Sequence, residues 1–392
     1  MGIFDKFKKK SQSVQNTASD NYNNEPQERN CEVVVESDSL VCDAQAFVEK
    51  YNDCYYFYLY FPFSEEQQVK TCWVCNRKKA PNRINPDDMK GGKGPMMPAE
   101  YISHDLNGIE LDDEKLSIVW FEEGDSAALL CGDDILAVIP GWSGYKDFHG
   151  YAKYAKGIGP FAWEITGAID NMRERVKWGQ KLWANANPQD MKMWMLIQHD
   201  HAVKFIVNHE LDYNIAHKED KKIGELTFPM KVVAEGSRDG VVYGLTAGVS
   251  LVAMPNVGFH TEDPKNTRRM ELGFAAEEQF RQICRPMYAN LSMYAKLPWQ
   301  HITFLDHGHT VPFYNLNGFA AILFVNPIYM EGMESPEYYP YFDGGRVNLL
   351  WTVPITCEEY EFAVKNSSEE LLKKAKDVSR LHIFDGNSKF NL

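Results

Sequence analysis

Between residues 31 and 139 the chain breaks into short apolar stretches, each bounded by Asp-rich or Gly-rich turns, which is the pattern of β-strands. Strands are predicted over 32–36, 55–63, 70–75, 116–121 and 127–130, with a helix at 43–51. The interruption at 78–98 is rich in Pro, Gly, Lys and Asn and reads as a long exposed loop, a length that makes it a candidate contact surface. The period then changes. Ile165, Ile169, Met172, Val176 and Trp183 recur at helical spacing, with Arg173, Arg175, Lys177 and Lys181 between them, and Pro188 ends the run. A second helix is predicted from Asp190, carrying Met191, Met195, Gln198, Ala202, Phe205 and His209 near one stripe.

From Leu226 the strand pattern returns. Stretches 230–234 and 241–245 flank a two-glycine turn at 235–240, with a third strand predicted at 249–254, together an antiparallel meander. A strand over 269–274 leads to a helix with Phe280, Ile283, Met287, Leu291 and Tyr294 on its buried face and Pro286 inside it. Near the end, Thr356 with Glu359 and Ser367 with Glu370 have capping-box spacing and mark two helix starts. Strands and helices come in blocks without regular alternation, so the fold class is α+β. The predicted organisation is a disordered tail over 1–30, an N-terminal α+β domain over 31–188 and a C-terminal domain over 189–392. The tail assignment rests on residues 11–30, which carry too little apolar surface to offset the entropy of ordering.

Composition narrows the function. The 392 residues carry a formal net charge of −14, which repels phosphate backbones and argues against nucleic-acid binding. The same charge steers the chain toward basic partners. No apolar run has the length of a membrane span, and the first ten residues have lysines but no secretory apolar region, so a cytoplasmic location is expected. Of the eight cysteines only Cys72 and Cys75 have metal-type spacing, without a second pair nearby, and they read as part of a buried strand.

Few constellations carry chemistry. His199, Asp200 and His201 lie on a predicted helix, where residues two apart point away from each other. His307 and His309, with His301 or Asp306, are the alternative: a metal site in a His-Gly-His turn after a strand over 301–305. Their competing reading is histidines bonded to backbone carbonyls. Glu122, Glu123, Asp125, Asp133 and Asp134 lack regular ligand spacing and read as solvated turns. Gly91-Gly92-Lys93-Gly94 lacks the P-loop spacing, and no nucleophile motif is present. No cofactor and no catalytic residue is therefore assigned. Tyr329, Glu334, Glu337, Tyr338, Tyr339 and Asp343 stand out as candidate protein-binding residues, since aromatic side chains interleaved with acids have the composition of an interface for a basic partner.

The ordered series Arg268-Arg269-Met270-Glu271-Leu272-Gly273-Phe274, Leu297-Pro298-Trp299, His307-Gly308-His309-Thr310 and Val347 through Thr356 resembles the Suppressor of fused (SUFU-like) domain family, in its bacterial branch. The resemblance covers roughly residues 210–385. It implies a binding protein without enzymatic activity, since bacterial members look like immunity or antitoxin proteins that bind a toxin domain. The animal relative implies a different use, regulation through a gripped peptide. A metal-dependent hydrolase using His307 and His309 is the rival from another class.

Overall fold

The computed structural model describes residues 31–62, 68–85, 93–185, 214–218, 231–314, 316–334 and 344–392. The tail, the helix predicted from Asp190, His199 to His201, Gly91 and Gly92 lie outside the described residues, as do Glu337, Tyr338, Tyr339 and Asp343.

The described chain is α+β, with two N-terminal sheets and one large C-terminal sheet. The first sheet is an antiparallel meander of β1 (Cys31–Asp38), β2 (Gln45–Tyr51), β3 (Cys54–Tyr60) and β4 (Val69–Asn76). The second contains β5 (Leu116–Trp120), β6 (Ala127–Cys131), β7 (Asp134–Ile139), β8 (Tyr151–Ala152) and β9 (Trp163–Glu164). Where the sequence predicts a helix at 43–51 the chain forms β2 instead. Ala46 and Val48 are fully buried on one face while Phe47 stacks on Tyr58 of β3 at 5.0 Å, so two strand neighbours override the local helical preference.

Cys72, Trp73, Val74 and Cys75 lie in β4 with no exposed surface, and burial pushes both thiols up. Helix Ile169–Asn185 packs Met172 and Val176 against Phe121, Leu130 and Val138. Gly179 allows that approach, because a Cβ there would stand 2.4 Å from the Trp120 carbonyl oxygen.

The third sheet runs in the order β10 (Asn214–Lys218), β11 (Val232–Arg238), β12 (Val241–Ala247), β13 (Met270–Glu277), β16 (Asn348–Ile355), β15 (Ala321–Val325) and β14 (Thr310–Pro312), with β17 (Ile383–Phe384) also paired to β13. The β11–β12 hairpin is tighter than predicted. The ladder reaches Arg238 and Val241, leaving Asp239 (φ 53°) and Gly240 (φ 76°) as a two-residue turn with the left-handed backbone such hairpins need. One strand prediction fails on this side, since residues 249–254 form a short 3-10 turn over Val249–Leu251 and an irregular segment. Buried Glu271 withdraws the backbone from a ladder by accepting from the amides of Gly248 and Ser250, both at 3.0 Å.

Helix Arg281–Tyr294 runs through Pro286 and covers one sheet face with Met287, Tyr288 and Leu291. The other face holds the C-terminal helices Cys357–Asn366 and Ser368–Leu372. Thr356 and Glu359 form the complete capping box. At the second helix only the Ser367 hydroxyl accepts from Glu370, whose carboxylate turns to Lys373 at 2.6 Å. One contiguous apolar cluster includes Trp73 and Leu129 from the N-terminal sheets together with Val252, Phe274 and Trp299 from the C-terminal part. Among the described residues no helix is long and apolar enough to cross a membrane.

Candidate protein-binding face

After β15 the chain turns sharply and presents side chains outward. Asn326 fixes the turn: its side-chain oxygen accepts from the Ile328 amide at 3.2 Å, and its amide nitrogen donates to Asn348 Oδ1 at 3.0 Å. Asn348 is held in turn, donating to the carbonyls of Asn266 at 2.8 Å and Arg269 at 3.1 Å. Arg346 adds a bond to Asn348 Oδ1 at 2.9 Å and reaches the Tyr329 hydroxyl at 3.5 Å. This polar scaffold fixes the backbone of the turn and leaves Tyr329 53% and Ile328 40% exposed. Beyond Gly332, Met333 is buried and anchors the segment, while Glu334 accepts from Arg238 at 2.9 and 3.1 Å across the end of the β11–β12 hairpin. Of the six candidate binding residues, the described segment thus presents Tyr329 and Glu334 on one stretch of surface.

The histidine turn is built differently from either sequence-based reading. No strand forms over 301–305; His301 ends helix Leu297–His301, and Ile302 follows with φ at 51°. His307 Nδ1 accepts from the Asn326 amide at 3.1 Å, so that nitrogen is an acceptor from backbone N–H and not a donor to a carbonyl. Burial lowers the His307 pKa, which keeps the ring neutral in this role. His307 faces Tyr329 at 5.3 Å and His309 faces Phe304 at 5.1 Å, two different neighbours. Among the described residues no three His, Cys, Asp or Glu side chains are grouped to hold a metal ion.

The acids after β5 correct the sequence reading most. Glu122 and Asp125 are buried and Glu123 is mostly so, where solvated turns were expected. Glu122 Oε1 meets Arg269 at 2.5 Å and accepts from the Ala253 amide at 3.0 Å, while its Oε2 accepts from the Trp178 indole at 3.0 Å. Glu123 pairs with Arg175 at 2.8 Å. Burial alone would push the Glu123 carboxyl up, but the Arg175 and Arg268 guanidinium groups outweigh it and hold the pKa down. Asp125 goes the other way, raised by burial despite the nearby Lys70. The local sequence Glu-Glu-Gly-Asp gives no hint of this. The only available signal is the doublet Arg268-Arg269, placed directly before a strand with no apolar alternation of its own.

Tyr329 and Glu334 thus reach the surface from a scaffold of polar contacts around Asn326, Asn348 and Arg238. Residues 223–387 match the family model of Suppressor of fused protein (SUFU). The match takes in β11 to β16 and the whole candidate face. No curated protein matches the chain.

Proposed function

We propose that the chain is an immunity-type binding protein that neutralises a protein toxin by occupying its active or docking surface, without a reaction of its own. The SUFU domain over 223–387 carries this reading, because it makes protein interaction the work of that part of the chain. The contact residues in this proposal are Tyr329, Glu334, Glu337, Tyr338, Tyr339 and Asp343, and the partner surface is basic. The net charge of −14 supports that sign. The division into a tail (1–30), an N-terminal domain (31–188) and a SUFU-like domain (189–392) belongs to the same proposal, as does cytoplasmic residence.

The test is neutralisation and binding of a toxin domain by the full chain, with the product of the adjacent gene as the first to try. The wild type is expected to form a stable complex and abolish toxin activity. Tyr338→Ala is expected to raise the off-rate about tenfold, the effect of a hot-spot ring worth roughly 1–2 kcal/mol. Complex formation that leaves the toxin active would overturn neutralisation. Unchanged kinetics in a folded Tyr338→Ala variant would move the contact elsewhere, first to 78–98. A regulatory reading has one observation behind it: β14 ends the large sheet and is followed by Tyr314, 86% exposed, a place where a peptide can add as a strand. Capture of a regulator instead of a toxin would favour it.

A further inference from the structure

We infer that the charged seam between the N-terminal sheets and the large C-terminal sheet is a latch, holding the two parts as one body and opening as a local event of its own. The seam is built from the turn after β5 on one side and the segment before β13 on the other. Arg269 is 1% exposed and Glu122 only 6% at the side chain, so their contact at 2.5 Å is closed to water. Each is held further on its own side, and Glu122 has one more partner across the seam. Arg269 donates to the Ser250 carbonyl at 3.1 Å, and Glu122 takes the Ala253 amide from the C-terminal part and the Trp178 indole from the N-terminal helix. The Ala253 carbonyl accepts from Trp299 at 3.2 Å, which ties the seam into the core behind it.

A second arm lies beside the first and nearer to solvent. Glu123 meets Arg268 across the seam at 3.9 Å and Arg175 on its own side at 2.8 Å, and the Arg175 guanidinium lies over Phe121 at 4.4 Å and Trp142 at 5.7 Å. The combination behaves as a latch for a physical reason. Shifting one part against the other without full separation strands Glu122 or Arg269 as an unpaired buried charge, so partly open arrangements are disfavoured. Parting the seam locally around the two ions hydrates both at once, and this gives opening a discrete second state. The outer arm, more exposed than the Glu122–Arg269 pair, is where opening begins.

Hydrogen exchange of the full chain, followed in peptides covering 121–126 and 249–256, tests the latch. In the wild type 249–256 should exchange as slowly as β13. Glu123→Gln removes the charge of the outer arm while keeping its shape. It should speed exchange in both seam segments about tenfold or more, the equivalent of losing one charge-assisted bond, with β2, β3, β15 and β16 unchanged. Arg175→Lys, which keeps the charge but not the fork, should give a smaller acceleration in the same two segments and serves if the first variant does not fold. Three results would overturn the latch: fast exchange of 249–256 in the wild type, no acceleration in either variant, or acceleration spread equally over every strand.

Discussion

His382 shows how a single buried side chain makes stability depend on pH. It is 7% exposed, packed against Trp351 at 4.8 Å, and burial followed by the charges of Lys389 and Arg380 brings its pKa down to about 4. An unfolded histidine titrates near 6.5. Protonation therefore favours the unfolded chain: the contribution of neutral His382 is fully present above about pH 6.5 and lost as the pH falls toward 4. Its ceiling is about 3 kcal/mol. Asp125 and Glu271, with pKa values raised by burial, run in the opposite direction, so the comparison with a variant isolates the histidine. In urea unfolding between pH 7 and pH 4.5, His382→Gln should show a shallower loss than the wild type; parallel curves would refute the assignment. At this scale the sequence was least informative. The acids at 122–125 look like a turn because their partners, Arg175, Arg268 and Arg269, lie far along the chain, and His307 looks like a ligand until Asn326 comes within reach.

Elements were more legible where their own chemistry decides them. The β11–β12 hairpin, helix Arg281–Tyr294 and the Thr356 helix start all follow from local patterns that the structure repeats. Prediction failed where a distant group overrides the pattern, as neighbouring strands do for β2 and as Glu271 does for 249–254. The capping box gives a graded test. Thr356→Ala removes one arm and should cost about 1 kcal/mol by chemical denaturation. Glu359→Ala should cost more, because Glu359 is buried and also accepts from Ser388 at 2.5 Å. The double variant should cost less than the sum, since the two residues share the Thr356–Glu359 bonds. Equal single effects that add would mean that the two arms act independently.

For the whole molecule, the α+β class follows from the block arrangement of strands and helices, which needs no long-range contact to be read. The joining of the N-terminal sheets to the SUFU domain does need such contacts, and none of the local patterns announces them. Arg269→Met leaves Glu122 as an unpaired buried carboxylate and should cost roughly 3–5 kcal/mol. Adding Glu122→Met should recover most of that loss in thermal unfolding, as buried ion pairs replaced by apolar groups often do. A double variant as unstable as the single one would show that the hydrogen bonds to Ala253 and Trp178, and not the charge pair, dominate.

The central claim is that these acidic and aromatic residues of the SUFU domain capture a basic protein partner. Its most direct test is the salt dependence of association between the full chain and the basic protein domain proposed as its partner. Glu334 already neutralises Arg238, so the control Arg238→Gln, which releases that carboxylate, should speed association slightly. Wild-type association should slow steeply as ionic strength rises, and Glu334→Lys with Glu337→Lys should lower both the on-rate at low salt and its slope. An association rate indifferent to salt, or a doubly substituted chain that associates as the wild type does, would contradict the account.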